Sequence, residues 1–314
     1  MFNYYMKINN YRIKKSINIL KNDGCIGIPT ETVYGLAGNA YSDIAIMKIY
    51  KLKKRPKNNP LIVHYYDLKL LKNDCYIDDN FKKLFKKFCP GPITFVLKLK
   101  KRSLISKNVT HSKKTLAVRF PKKRVTRSLL KSIKFPLAAP SANVSNSVSP
   151  VTKNDVIDEF GKKIKYILDG GRSEIGLEST IIDLTNKPKI VRLGGLDITE
   201  ISKILKKNIS YFPKSKNKYP GQSNLHYSPG IPVSLNVKNP RKNSAYILIN
   251  KKKKNNKNYF YLTKKRDLNE AGKNLYKILR LIKKKKYKLI EVENIPNYGL
   301  GKTINDRLKK ASYK

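Results

Sequence analysis

The chain lacks tryptophan, has three cysteines, and carries only 21 acidic residues against 69 Lys and Arg. The cysteines, Cys25, Cys75 and Cys89, are odd in number and form no CxxC pair. That excludes a disulfide framework and a zinc ribbon and points to a reducing compartment, the cytosol. No apolar run approaches the roughly 18–20 residues of a membrane span. Met1 to Lys15 holds no apolar block followed by a small-residue cleavage site, so a secretory leader is not expected. No Gly-x-Ser-x-Gly elbow or Cys/His cluster is present. Gly301-Lys302-Thr303 has the ending of a P-loop, but Pro296 stands where its first glycine must be.

What the chain does have is length, an ordinary apolar fraction and positive charge. With 314 residues and 40% hydrophobic content it suggests two domains with real cores. The formal charge of +48 has two readings. One is polyanion binding, to nucleic acid, nucleotides or an acidic surface. The other is A/T-rich coding bias, which the abundance of Lys, Asn, Ile and Tyr supports. Lys251–Lys254 and Lys283–Lys286 then read as solvated surface.

Ile13, Ile17 and Leu20 recur at helical spacing and predict a helix over 9–22, stopped at Gly24. Ser42 and Asp43 cap a helix running toward Lys53. Further helices are predicted over 80–88, 122–132 and 152–163. Strands are predicted at Cys25–Ile28, Leu61–Val63, Ile93–Leu99, Thr115–Phe120, Ile167–Leu168, Thr180–Leu184 and Lys189–Leu193. The interleaving is that of an α/β layer fold. Residues 208–232 have linker composition. Beyond them a smaller unit is expected, with strands at Ser244–Ile249 and Glu291–Asn294 and helices at Leu268–Ile282 and Ile304–Ala311.

Five runs carry chemistry. PTETVYGL (29–36) presents polar groups at a strand's carboxyl end, where ligands gather in open α/β sheets. KLKKRPKNNPLIVH (51–64) sets Lys53 and Arg55 at a helix terminus and His64 at a strand exit. That suits phosphate oxygens, or an ordinary basic helix end. In TLAVRFP (115–121), Arg119 lies inside an apolar strand and must pair. Its partner is a substrate carboxylate or a structural one such as Glu31 or Glu178. PLAAPSANVSNSVSP (136–150) passes from a strand into a loop of neutral donors. DGGRSEIGLESTIIDL (169–184) and VRLGG (191–195) repeat the pattern of a charged residue in an apolar strand.

In this order the five runs resemble the YrdC family in its two-domain form. The match covers about residues 10–207, continues through PGQSNLHYSPG (220–230) and extends weakly to GLGKTINDRLKKA (299–311). The resemblance implies a twisted mixed open sheet flanked by helices over 1–207, a linker or lid over 208–232, and a small Rossmann-like α/β domain over 233–314. It implies synthesis of threonylcarbamoyl-AMP from L-threonine, bicarbonate-derived CO2 and ATP, with release of pyrophosphate. A separate tRNA threonylcarbamoyl transferase would use the product beside the anticodon, and a weak RNA contact is expected of so basic a chain. By motif position, Lys53, Arg55, Ser141 and Asn143 carry the catalytic set. Arg55, Asn59, Thr115, Ser141, Ser149, Arg192 and Tyr227 would bind ATP. Thr32, His64, Arg119, Ala139 through its backbone and Ser179 would bind threonine. No protein metal site is implied; Mg2+ would be carried mainly by the ATP phosphates. The alternative class is a non-catalytic double-stranded RNA-binding or tRNA-binding module.

Overall fold

The computed structural model describes residues 2–211, 219, 226–251 and 256–312, with side chains from Asn10 onward. The Lys252–Lys254 part of one lysine tract and most of the linker run 212–225 lie outside the described residues.

Eight strands build the first sheet: β1 (Ile26–Ile28), β2 (Gly35–Asn39), β3 (Ile62–His64), β4 (Ile93–Lys98), β5 (Thr115–Arg119), β6 (Leu137–Ala138), β7 (Thr180–Asp183) and β8 (Lys189–Arg192). Their order is β1-β2-β6-β3-β5-β4-β7-β8. The pairs β3/β5 and β4/β7 are parallel and the rest antiparallel, so the sheet is mixed. The helices of this part are α1 (Phe2–Lys21), α2 (Asp43–Lys53), α3 (Leu68–Asp74), α4 (Asp79–Phe88), α5 (Lys107–Thr110), α6 (Arg124–Lys131), α7 (Lys153–Phe160) and α8 (Ile198–Leu205). Ser42 caps α2 as expected, its side chain accepting from the Ala45 amide.

Side chains alternate across a strand, and here the alternation separates core from cleft. Val63, Phe95, Leu97, Leu116, Val118 and Ile182 pack with Ile46 and Ile49 of α2, Phe81 and Leu84 of α4, and Ile201 and Leu205 of α8. The residues between them, Ile62, Val96, Ala117 and Ile181, form a smaller apolar row with Val191 on the other face. Tyr219 closes over that row and donates to Asp183 at 2.6 Å. His64 and Arg119 continue the same row two residues beyond Ile62 and Ala117. Helices α1 and α6 cover the β1 edge through Leu20, Leu129 and Leu130.

The second sheet has β9 (Val233–Ser234), β10 (Ala245–Asn250), β11 (Tyr259–Thr263) and β12 (Ile290–Val292), in the order β11-β10-β12-β9 and parallel throughout. Helices α9 (Leu268–Lys284) and α10 (Leu300–Ser312) pack on it. The apolar run AYILI of β10 is what a parallel strand covered on both faces requires. This core includes Val33, Val148, Val151 and Leu177 from the first domain, so the contact between the domains is apolar and continuous with it.

Three strands (β2, β9, β11) and three helices (α3, α5, α8) were not expected from the sequence. Ile167–Leu168 makes one parallel bridge to Gly27 instead of a strand.

Candidate active site

Strands β3 and β5 run parallel and end side by side, with His64 paired to Arg119. Around these ends gather the loop after β1, the loop after β6, the turn before β7 and the end of β8. They enclose a cavity of about 40 Å³ whose wall includes Arg55, His64, Arg119, Ala139, Ser141, Ser179, Arg192 and Tyr227. The structure thus brings eight of the predicted residues to one cavity. Its wall also holds Thr30, Tyr34, Glu178 and His226.

The other predicted residues do not line the cavity. Lys53 is buried and donates to the carbonyls of Ser141 and Asn143, fastening the loop after β6 to the end of α2. Burial, with Arg55 nearby, lowers its ammonium pKa well below the ordinary lysine value. Asn143 accepts from Ser141 Oγ at 2.6 Å and donates to the Val144 and Ser147 carbonyls, fixing the hydroxyl's position. Asn59 accepts from the Arg55 guanidinium at 2.6 Å, while its carbonyl takes Arg55 Nε at 3.0 Å. Ser149 donates to Glu178 at 2.6 Å, and Thr32 Oγ1 pairs with Thr30 Oγ1 at 2.8 Å. Thr115 lies on the cleft side of β5, roughly 13 Å along the strand from Arg119.

Arg119 takes the structural partner that the sequence left open, donating to Glu31 at 2.6 Å, while its Nε has no hydrogen-bond partner among the described residues. Among the described residues both ring nitrogens of His64 are also buried without a hydrogen bond of ordinary geometry, although the Leu137 and Ile62 backbones lie near enough to favour the protonated ring, and His226 Nδ1 and the Tyr227 hydroxyl have no partner. Burial, reinforced by Arg119, lowers the His64 pKa to about 3, so the ring is neutral. Burial lowers the Arg55 guanidinium to about 10. Arg192 donates to the Ser179 carbonyl at 2.8 Å and to its hydroxyl at 3.1 Å. Ser179 Oγ in turn bonds Thr94 Oγ1 at 2.7 Å. A Cβ on Gly194 would come 2.3 Å from the backbone of Ser179 and Thr180, which is why RLGG needs glycine there.

Among the described residues no three His, Cys, Asp or Glu side chains group as a metal site. Of the carboxylates here, Glu31 is engaged by Arg119 and the Lys122 amide, and Glu178 by Ser149. The donor set is cationic and neutral, which suits an anion rather than a bare cation.

A family model described as "Telomere recombination", of the Sua5–YciO–YrdC group, matches residues 18–194, and one described as the C-terminal domain of threonylcarbamoyl-AMP synthase matches 196–312. The chain belongs to this family. The threonylcarbamoyl-AMP synthase of Pyrococcus abyssi is 34% identical over 99% of this chain and 97% of its own length. The Bacillus subtilis synthase is 31% identical over 98% of this chain and 94% of its own length. A crystal structure of P. abyssi Sua5 complexed with L-threonine has a TM-score of 0.87 at 33% identity, covering 96% of this chain and 94% of that one. The family's mixed sheet and smaller α/β domain are both present here.

Sequence reasoning missed His226 and the part of the C-terminal domain that reaches Glu178. His226 stands beside Tyr227 within the quoted HYSPG run and could have been taken with it. Of the two that bond Glu178 from α9 and α10, Arg307 had only the weak match over 299–311 and Tyr276 only its place in the expected helix over 268–282.

Proposed function

We infer that the chain synthesises threonylcarbamoyl-AMP from L-threonine, bicarbonate-derived CO2 and ATP, releasing pyrophosphate. One observation carries the reading. Five buried polar atoms with no hydrogen bond of ordinary geometry to the described residues, His64 Nδ1 and Nε2, Arg119 Nε, His226 Nδ1 and the Tyr227 hydroxyl, belong to residues that share one cavity wall with Arg55 and Arg192. A native fold leaves so many buried groups unpaired where a ligand completes them.

In this reading Arg119 Nε and neutral His64 meet the carboxylate and hydroxyl of threonine, beside Ser179, Thr32 and the Ala139 backbone. A site that bonds the hydroxyl rejects valine, because its own polar groups would be left unpaired. Arg55 and Arg192 take the triphosphate, with Ser141, Asn59, Ser149, Thr115 and Tyr227 completing the nucleotide site. Lys53 and Asn143 hold Ser141 and its loop in register. The α-phosphoryl group gains and redistributes negative charge as the threonine carbamate attacks and pyrophosphate leaves. Pre-placed cations stabilise that charge without a side-chain nucleophile. Alignment of the carbamate with phosphorus supplies several kcal/mol more. Mg2+ enters as part of the MgATP substrate.

The cavity has room for about one water molecule. The His226–Tyr227 pair therefore swings out to admit ATP and closes over it, excluding water from a hydrolysable carbamate. Residues 1–207 form the catalytic unit, 208–232 its lid and 233–314 the small second domain. The product passes to a separate tRNA transferase. No helix among the described residues is long and apolar enough to cross a membrane.

The deciding experiment incubates the protein with ATP, Mg2+, bicarbonate and threonine and follows pyrophosphate. Release that depends on both threonine and bicarbonate is expected. Release indifferent to threonine, or none, would overturn the reading.

A further inference from the structure

Arg307 of α10 is among the most deeply buried side chains in the protein, yet it lies in the C-terminal domain, more than a hundred residues from the other cations of the site. Its Nε donates to Glu178 at 3.0 Å, one terminal nitrogen donates to the Leu193 carbonyl at 2.6 Å, and the other meets Asp306. Its guanidinium carbon stands 4.6 Å from the centre of the Tyr227 ring. One side chain thus touches the neighbour of Ser179, the neighbour of Arg192, and the lid.

We propose that Arg307, assisted by Tyr276, is a positioning residue through which the C-terminal domain sets the charge of the nucleotide site and seats the Tyr227 ring. The proposal rests on the functional reading above. Glu178 is an anion on the wall of a cavity built for a triphosphate, so its charge must be matched on the protein side. Three donors do this: Ser149 at 2.6 Å, Tyr276 at 2.8 Å and Arg307 at 3.0 Å. Two of the three come from the C-terminal domain. Burial pushes the carboxyl up, but Arg307, Arg192 and these hydrogen bonds hold it down at about 2, so it stays ionised. Without Arg307 the nearby cation left to Glu178 is Arg192. Turning toward Glu178, Arg192 would leave the oxygens of Ser179 and the phosphates it is placed to meet. The Tyr227 ring would lose its cationic floor at the same time, while its ring neighbours His226 and Tyr276, at 3.9 and 5.8 Å between centres, remain.

The test compares Arg307→Met, Tyr276→Phe and Arg307→Met/Glu178→Gln in full-length protein by threonine-dependent pyrophosphate release, with thermal unfolding run alongside. Arg307→Met is expected to raise KM for ATP at least about fivefold, the low end of ordinary site-to-site coupling, with a smaller change for threonine. Tyr276→Phe, which removes one hydroxyl, shifts KM for ATP the same way by less. Adding Glu178→Gln to Arg307→Met is expected to recover part of the loss, since the anion no longer competes for Arg192. A merely structural role predicts additive losses instead. Should Arg307→Met fail to fold, Tyr276→Phe with and without Glu178→Gln reads the same coupling. Unchanged KM for ATP in the folded variants, or additive losses, overturns the positioning role alone. Absence of threonine-dependent release in the unsubstituted protein overturns the functional reading and this role with it.

Discussion

His64 shows how a strand position decides chemistry. Its ordinary value of 6.5 applies to the unfolded chain, whereas burial and Arg119 bring it to about 3 in the fold. Between those values the unfolded chain binds the extra proton, so stability rises with pH across the window and is lost as pH falls through it. Glu178, at about 2 against 4.5, acts with the same sign at lower pH. The urea midpoint should therefore fall from pH 6.5 toward pH 4; burial lowers His226 in the same direction, so His64→Gln should flatten part of that slope. An equal slope in the variant would mean that His64 is not the titrating group. Arg119 is a second case. Its bond to Glu31 is structural, and its Nε is buried without a partner among the described residues. Arg119→Lys keeps a charge for Glu31 but loses the fork. It should raise KM for threonine about tenfold or more while leaving KM for ATP within about twofold, as steady-state kinetics with each substrate varied would show.

Among elements, the informative cases are those the residues concealed. The strand β2 reads GLAGN, which has none of the β-branched or aromatic residues that mark a strand. Gly38 packs closely under α2: a Cβ there would come 3.2 Å from Ile49 and 3.3 Å from Ala45, so those neighbours would have to shift. Packing, not propensity, made it a strand. The turn after β8 is governed by the same kind of closeness. Gly194→Ala would drive a methyl into the Ser179–Thr180 backbone, at a cost of about 1–3 kcal/mol. It should lower the thermal midpoint and raise KM for both substrates, because Ser179 and Arg192 flank that contact. Circular dichroism melting and kinetics on the same preparation check both effects; unaltered KM values would detach the turn from the site.

At the scale of the molecule, the C-terminal domain supports the cavity from behind, Tyr276 and Arg307 bonding Glu178 and Arg307 packing on Tyr227. Removing everything after Lys207 would uncover Val33, Val148, Val151 and Leu177, now part of the C-terminal core. It would also leave Glu178 with Ser149 but without Tyr276 and Arg307. Residues 1–207 should therefore show at least about a hundredfold lower kcat/KM, since the losses of lid, counter-charge and packing combine. Turnover near that of the full chain would refute the lid and the inter-domain role together. The net charge of +48 is spread over many exposed lysines, whereas the cavity depends on a few buried arginines.

The linear sequence by itself determined the family and the reaction, and it named eight residues that the fold brings to one cavity wall. Motifs such as PTETVYGL, KKRP, PSAN and RLGG are short, and each places its residues at the end of one strand or helix, so local order suffices to read them. Strand alternation likewise put Arg119 in a row apart from Leu116 and Val118. What only the tertiary structure decided was partnership. That Arg119 pairs with Glu31, that Lys53 and Asn143 brace a loop behind the wall, and that Arg307 reaches Glu178 from another domain all depend on side chains separated by 88 to 129 residues. Such contacts form where chain closure brings buried charges together. No local pattern encodes them, because a buried ion is stabilised by whatever opposite charge the whole fold delivers to it.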